Sequence, residues 1–534
     1  MRMGKFKKHH YHTVPAIGLV VMLLGTGCAS LSDDEYISEL SKKTQPDSKK
    51  ELPNYVISKR EDMYNDRSKI LYDADLGFAY LKSGNPEKAS EFLKKADNSI
   101  EDEAKKGFSD FLLAFTVKDN SCQYVGSPFE QVQIPMYRSL AKLESGDYET
   151  AAAMARRTNI VVTDHLAKVA DLYGMEVGDK KSPQKEAIPW HYTRDAFADY
   201  IASISYRNIN DTENALVAAR NSVDTYGSKV WATDYKFTNP PAAVVNNYCQ
   251  LANEIDGGTV RAKDQQLVEK NCKSYTKTDK TKGEVVVLQF LGRPAFLRSI
   301  DFDIDGGAVM NTIINQAADS FFKAYSGKGD ATKKQNLLVE ILIKIYHSNP
   351  EIQRSVAVQI AKIKADQFGN KSDKAATTAV AGIYSMAGAS NTNALRMSVP
   401  IPFQYLQSLA PSKLTINGSA IKGQIIHNTD EIRIQEGIDM MEMAMIRSMS
   451  RALTQKLVAE GLKKVPGGAT AGLAAGFAGK MSEESDTRML HLLPAQIYAS
   501  SQFVAPGKVS VKNGLETKTV DVKPGKTAVV FFHE

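Results

Sequence analysis

Three aspartates at alternate positions form the most metal-like pattern in the sequence. Asp301, Asp303 and Asp305 are followed by Gly306, and this D-x-D-x-D-G spacing is typical of the first half of a calcium-binding loop. A complete loop of that kind ends with a bidentate glutamate at its twelfth position, where this chain has Thr312. Apolar residues alternate with the acids, as they do in a half-buried β-strand. We therefore expect a strand here and no metal site.

The sequence patterns of the common hydrolytic centres are missing. The chain contains no G-x-S-x-G nucleophile elbow and no H-E-x-x-H zinc motif. The histidines after residue 27 are scattered rather than clustered, which favours structural roles: His165, His191, His347, His427, His491 and His533. The sequence therefore predicts a protein without catalytic residues, metal or other cofactor. A cell-wall or polysaccharide-acting enzyme with unrecognised acids is the alternative.

The N-terminus has the features of an export signal with a lipidation site. Residues 1–15 carry four basic side chains and no acid, and residues 16–24 form an apolar run of nine. The run is too short to cross a bilayer, but it suits the core of a signal peptide. Gly25-Thr26-Gly27 precede Cys28, as small residues do before a lipidated cysteine, although Gly25 stands where leucine is usual. An ordinary signal peptide with an incidental cysteine is the alternative.

Cleavage before Cys28 makes residues 1–27 a lipoprotein signal peptide and leaves a cysteine that carries the acyl chains. More than one chain anchors a protein stably, and Ala29 after the cysteine favours the outer membrane. We therefore expect a lipid-anchored protein on the periplasmic face of the outer membrane. Four of the charges behind the formal net charge of +6 are in the signal peptide, which leaves the mature chain near +2. That low charge argues against a nucleic-acid partner.

The three remaining cysteines are Cys122, Cys249 and Cys272. The periplasm is oxidising and permits disulfides. Because Cys249 and Cys272 are near in sequence and flank a polar stretch, we expect them to form a pair. For Cys122, a buried small apolar residue is favoured over a reactive thiol.

The first half of the chain contains a helical repeat. Residues 71–104 have the offsets of a tetratricopeptide repeat, in which small residues let two antiparallel helices touch: Leu76, Gly77, Tyr80, Gly84, Ala89, Leu93 and Ala96. Weaker copies follow at Gly146-Asp147-Tyr148 with Ala151, and at Tyr206 and Asn210-Asp211 with Ala215. We expect residues 28–272 to form a helical-repeat domain. Helical hairpins without a regular solenoid are the alternative.

The second half has the patterns of β-strands. Residues 273–283 are polar and charged, as in a linker. Buried or alternating runs predict strands at Glu284–Leu291, Phe296–Ile304, Leu395–Pro402 and Lys413–Ile426, and a long helix at Ile438–Lys464. In the tail, turns at Pro506-Gly507, Asn513-Gly514 and Pro524-Gly525 predict three strands. We therefore predict an α+β fold, in which a tetratricopeptide-like domain precedes a mixed α/β-rich domain at 284–534 that ends in an antiparallel hairpin region.

Short motifs in a fixed order along the chain resemble those of a known protein family. They are Asp119-Asn120, Tyr124 and Phe129-Glu130; Tyr137, Gly146-Asp147 and Arg156-Arg157; Phe197-Ala198-Asp199-Tyr200; and Asp486, Arg488, Leu493-Pro494-Ala495 and Pro506-Gly507. The family is that of uncharacterised proteobacterial envelope lipoproteins with tetratricopeptide-like repeats, which often accompany curli-channel-type lipoproteins. Its members usually have Trp shortly before the Leu-Pro pair, where this chain has Leu490-His491-Leu492. The resemblance implies envelope assembly work and supplies no catalytic residues.

Anchor and repeats together predict a protein–protein interaction scaffold in cell-envelope assembly or secretion. Repeat domains stack into extended surfaces, and aromatic and arginine side chains are the usual anchors of interfaces. Tyr137, Arg156 and Arg157 are therefore the candidate contacts with an envelope protein partner, although only one of two adjacent arginines is expected to face a groove. Tyr80 and Tyr206 occupy a repeat position that normally packs inside. Regulation of a peptidoglycan synthase is a further alternative.

Overall fold

The α+β class expected from the sequence is confirmed. A computed structural model describes residues 36, 39–40, 42–43, 48–105, 123–172, 191–255, 260–273, 281–304, 395–405, 407, 409–440, 444 and 485–534. Within these residues, the chain is helical up to residue 271 and forms strands from residue 283 onwards, with one further helix among the strands.

The helices of the first half alternate with short turns. They are α1 (Leu52–Ser58), α2 (Arg60–Met63), α3 (Lys69–Lys82), α4 (Pro86–Lys105), α5 (Pro128–Glu144), α6 (Tyr148–Leu172), α7 (Ala196–Asn208), α8 (Thr212–Tyr226), α9 (Lys229–Thr233), α10 (Ala242–Glu254) and α11 (Ala262–Asn271). Single 3₁₀ turns at Lys49–Glu51 and Asp66–Ser68 precede α1 and α3. The helix among the strands, α12, covers residues 429–440.

Three helix pairs share one turn geometry: α3 with α4, α5 with α6, and α7 with α8. The turns place Gly84, Gly146 and Asn210 at φ values of 81°, 78° and 62°. This left-handed region is open to glycine and tolerated by asparagine, so each helix can stop and the chain can reverse within three residues. The asparagine or aspartate that follows caps the next helix, as the Asp147 side chain does for the Thr150 N–H.

Small residues bring the paired helices into contact. Ala89, Ala151 and Ala215 are all fully buried, and a Cβ added to Gly77 would lie only 2.7 Å from Cγ of Leu93. The Ser139 hydroxyl donates to the carbonyl of Ala151, and the Ser203 hydroxyl makes the equivalent bond to the carbonyl of Ala215 in the next helix pair, both at 2.9 Å. The three helical hairpins therefore lie where the sequence predicted them.

The predicted cysteine pair is confirmed. Cys249 lies on α10, and Cys272 follows directly after α11. Their sulfur atoms are at bonding distance, 1.90 Å, and their Cα atoms are 5.6 Å apart. The disulfide holds α11 against α10. Cys28 and Cys122 lie outside the described residues, so the lipidation and the role of Cys122 stay predictions.

The strands form three sheets. They are β1 (Gly283–Leu291), β2 (Phe296–Ile304), β3 (Leu395–Phe403), β4 (Leu414–Ile416), β5 (Ser419–Ile421), β6 (Gln424–Asn428), β7 (Gln496–Val504), β8 (Gly507–Asn513), β9 (Glu516–Val522) and β10 (Thr527–His533). The first sheet has the order β10-β1-β7-β6, the second pairs β2 with β3, and the third has the order β5-β4-β8-β9. All neighbours are antiparallel except β1 and β10, which run parallel.

The sheet around β1 and the helical half share a hydrophobic core. The Tyr137 ring of α5 lies 6.1 Å from the Phe290 ring of β1, and the buried Arg207 of α7 pairs with Glu284 of β1 at 3.0 Å. The Tyr226 hydroxyl of α8 donates to the carbonyl of Ile426 in β6. These contacts join the two predicted domains directly. Most of the predicted linker, residues 274–280, lies outside the described residues.

Candidate functional site

A cavity of about 120 Å³ lies where the helical half meets the second half of the chain. Its walls come from the segment before α5, from β2 and β3, from α12 and from residues 485–489. Most of the lining is apolar, and includes Val125, Leu297, Pro400, Pro402, Met440 and Met489. An apolar recess with a few fixed polar groups is the usual form of a small binding site.

The N-terminus of α5 supplies the first polar wall of the cavity. Ser127 and Glu130 form a capping box, and Pro128 stands at the first helical position. The buried Glu130 carboxylate also accepts from the Tyr124 hydroxyl at 2.6 Å. Its other oxygen accepts from Nη2 of Arg433 at 2.9 Å and from the N–H of Leu490 at 2.7 Å. Four donors therefore hold this carboxylate in place.

Arg433 of α12 connects the elements around the cavity. Besides Glu130, its guanidinium donates to the carbonyl oxygens of Ala295 at 3.0 Å and Leu490 at 2.8 Å. The Nε atom of Arg433 and the hydroxyl of Ser485 are buried without a hydrogen-bond partner among the described residues. Leaving a buried donor without an acceptor costs free energy, and both atoms are inaccessible to solvent.

Glu436 lies one helical turn after Arg433. Its carboxyl group accepts from the Ser127 hydroxyl at 2.7 Å and from the Phe129 N–H at 2.9 Å. Burial raises the pKa of Glu436 to about 8, against the opposing effect of these two hydrogen bonds. The two glutamates at the cavity wall therefore differ in their surroundings, because only Glu130 has a direct arginine partner.

Arg488 forms the outer polar edge of the cavity. It pairs with Asp486 at 2.7 Å, its guanidinium lies 5.7 Å from the centre of the Tyr124 ring, and it donates to the carbonyl of Arg67 at 3.2 Å. Tyr124, Glu130, Asp486 and Arg488 are among the motif residues that carry the family resemblance. The fold brings them together although more than half of the chain separates the two groups.

Histidines make structural pairs across the same junction. Each pair has one member before residue 273 and one in the second half: Asp195 with His427 at 3.3 Å, Asp75 with His491 at 2.8 Å, and His191 with Asp439 at 2.7 Å. A fourth histidine, His533 of β10, stacks on the Phe290 ring at 4.7 Å, and burial lowers its pKa well below the usual value. The three histidine–aspartate pairs hold the two halves together, whereas His533 packs within the second half.

The structure corrects one of the three predicted partner contacts. Tyr137 is only 2% exposed and packs between Phe78 and Phe290, so it is unavailable to a partner. Arg157 pairs with Asp97 at 3.4 Å within the helical half. Arg156 is exposed on α6, with its guanidinium 5.8 Å from the centre of the Tyr206 ring. Arg156 therefore stays the candidate of the adjacent pair, but it lies outside the lining of the cavity.

Neither Arg433 nor Glu436 lies in a motif that the sequence alone makes recognisable. Glu130 had a readable signal, because Ser127-Pro128 with glutamate at 130 is a typical start of a helix. The predicted strand at Phe296–Ile304 is confirmed and pairs residue by residue with β3. The side chains of Asp301 and Asp303, and all of Asp305, lie outside the described residues, so the expected absence of calcium there stays a prediction.

Within the described part of the chain, no cluster of three or more histidine, cysteine, aspartate or glutamate side chains is arranged to hold a metal ion. None of the helices described there is long and apolar enough to span a bilayer. No family model, curated protein or solved structure matches the chain. The cavity is therefore the feature from which a function can be inferred.

Proposed function

We propose that this protein is an envelope lipoprotein, anchored through Cys28 on the periplasmic face of the outer membrane, that binds a protein partner in envelope assembly or secretion. The observation that carries the binding role is the cavity between α5, α12 and the β2–β3 pair. The N-terminal signal and the motif resemblance support the location.

The size and lining of the cavity fit one side chain of a partner. An apolar cavity of about 150 Å³ in another protein holds benzene, and this one is of similar size, about 120 Å³. A leucine, methionine or phenylalanine side chain of a partner would bury its apolar surface there, as anchor residues of interfaces do.

Glu130 and Glu436 favour the rival class, a cell-wall or polysaccharide-acting enzyme. Glycoside hydrolysis uses two carboxyl groups with separated pKa values, and burial raises the pKa of Glu436 to about 8. Both oxygens of each group, however, already accept hydrogen bonds from within the protein. We therefore assign both groups to holding the cavity wall. A regulator of a peptidoglycan synthase would be a special case of the binding role.

Site-specific crosslinking tests the binding role. A photoreactive amino acid at Met440, which lines the cavity, should yield a discrete crosslinked product with one envelope protein in intact cells. The same amino acid at Val217, which is 39% exposed on α8, is the matched control. Absence of a product specific to Met440, or hydrolysis of glycan by the purified protein that Glu436→Gln abolishes, would contradict the proposal.

A separate experiment tests the anchor. Cys28→Ala should remove the acyl chains, so that the protein is recovered in the soluble periplasmic fraction or as uncleaved precursor. Mass spectrometry of the wild-type N-terminus is the direct measurement. An unacylated mature N-terminus well away from residue 28 would contradict the lipidation.

A further inference from the structure

The turn between β8 and β9 exposes a large apolar side chain at its tip. Gly514 and Leu515 form the turn between the paired residues Asn513 and Glu516. Leu515 is 101% exposed, far more than the other exposed large apolar residues of the described chain. Single exposed leucines are common on protein surfaces, so the surroundings of Leu515 decide whether it has a role.

Two exposed lysines flank this tip, and a third lysine pairs with its acid. Lys512 precedes it on β8 and is exposed, as is Lys413, whose carbonyl accepts the Gly514 N–H at 3.0 Å. Lys49 approaches from the N-terminal part of the chain and pairs with Glu516 at 2.6 Å. An apolar tip among cationic side chains matches the interface of an anionic phospholipid membrane, where acyl chains lie just beneath phosphate groups.

The N-terminal part of the chain enters the body close to this tip. Tyr36 is 1% exposed and stacks on Tyr55 of α1 at 6.1 Å. Helix α1 follows directly after the turn that contains Lys49, which contacts the tip through Glu516. Ile57, also on α1, is a second exposed apolar residue, at 44%. The segment that follows the entry of the chain is therefore in contact with the apolar tip, through Lys49 and Glu516.

The connection to the proposed lipid is short. Eight residues lead from Cys28 to Tyr36, and a fully extended chain of that length spans at most about 28 Å. Because Tyr36 is packed into the core, an acylated Cys28 would keep this side of the body close to the membrane.

We propose that the β8–β9 tip is a second membrane contact, in which Leu515 enters the headgroup region of an anionic phospholipid surface and Lys413 and Lys512 bind the phosphates. This contact rests on the proposed lipidation of Cys28. It fixes the orientation of the body on the membrane and turns the β8–β9 end of the third sheet toward the lipid.

Quenching by brominated lipid tests the contact. Acylated full-length protein with Leu515→Trp is reconstituted into vesicles of phosphatidylcholine and phosphatidylglycerol, with and without bromine on the acyl chains. We expect the emission added by this substitution to shift to the blue and to be lost with brominated lipid. The wild-type protein, with its own two tryptophans, gives the background. Adding Lys413→Glu and Lys512→Glu should reverse much of that loss.

The matched control is Val217→Trp, whose added emission should be the same in both kinds of vesicle. If the Leu515→Trp protein floats with the vesicles but its added emission is the same with and without brominated lipid, the tip contact is refuted and the anchor stands. If the protein does not float with the vesicles, the anchor and the contact are refuted together.

Discussion

At the scale of single residues, Glu130 and Arg433 are the pair on which the cavity wall depends. Both are nearly fully buried, and their 2.9 Å contact joins α5 to α12. Removing one partner of a buried ion pair leaves the other charge without compensation, whereas removing both is much less costly.

Arg433→Met should therefore lower the free energy of unfolding by about 3–5 kcal/mol. Chemical denaturation followed by circular dichroism is the measurement. The double variant Arg433→Met with Glu130→Gln should recover part of the loss. Arg156→Met is the control, because this exposed arginine should change stability by less than about 0.5 kcal/mol. Equal losses of unfolding free energy for the two variants would show that the buried contact of Arg433 with Glu130 stabilises the fold no more than an exposed arginine does.

Glu436 predicts a pH dependence of stability. Its pKa is about 8 in the folded protein, against an ordinary value of 4.5. Between these values the folded protein holds a proton that the unfolded chain releases. Its stabilising contribution is therefore complete below about pH 4.5 and decreases as pH rises toward about 8, by at most about 1.4 kcal/mol per pH unit.

Glu436→Gln should remove this component, because glutamine does not titrate and keeps acceptor and donor atoms in place. Denaturation of the wild type and the variant at several pH values gives the difference between the two stability curves. That difference should move in favour of the variant as pH rises. A difference that is constant with pH would show that Glu436 is ionised at neutral pH in the folded protein.

At the scale of elements, Gly77 of α3 packs directly against Leu93 of α4. A Cβ on Gly77 would lie 2.7 Å from Cγ of Leu93, so the Leu93 side chain or one of the two helices has to shift. Gly77→Ala should lower the free energy of unfolding by about 1–3 kcal/mol, as overpacking of a core does.

A double-mutant cycle checks the cause. Leu93→Ala removes the atoms that the new methyl group meets, so the two substitutions together should cost less than the sum of their separate effects. Additive losses would mean that the helix of residue 77 is destabilised by something other than this contact.

The elements also show which parts of the fold a sequence can reveal. β1 was predictable because its nine residues are all buried and all but Glu284 and Gln289 are apolar or glycine, as in a strand covered on both faces. β7 was missed because its apolar pattern is interrupted at Ser500-Ser501-Gln502, although both of its edges are paired, to β1 and to β6. The repeat turns were predictable because their backbone adopts positive φ values, which glycine and asparagine tolerate best.

The cavity was only partly predictable for a related reason. The Ser127 and Glu130 pair is a local pattern that starts a helix. Arg433 and Glu436 lie before Ile438, where the sequence predicted the helix to begin, in a segment that looks polar and exposed. The segment is helical and buried because it caps α5, about 300 residues earlier in the chain. The spacing of apolar residues within a segment does not indicate a contact with such a distant part of the chain.

At the scale of the whole molecule, the two halves are joined by one hydrophobic core rather than by a linker alone. Residues 29–272 produced on their own should therefore expose the faces that Phe290 and Phe531 cover, bind a hydrophobic dye and be cut rapidly by protease. The full-length protein, measured beside the fragment, is the control. A fragment that unfolds cooperatively at the temperature of the full chain would show that the helical half is an independent domain.

The parallel pairing of β1 with β10 has a consequence for how the protein is made. β1 lies between β7 and β10 in its sheet, and its parallel partner is the strand farthest from it along the chain. A chain that is threaded through a membrane with its N-terminus first would deliver β1 long before β10, and pairings between distant segments form slowly. Until residues 496–533 are delivered, neither edge of β1 has its partner strand, which invites aggregation. Assembly of this sheet therefore has to wait until nearly the whole chain has been delivered, and under the proposed export a chaperone that holds extended apolar segments would protect β1 in the meantime.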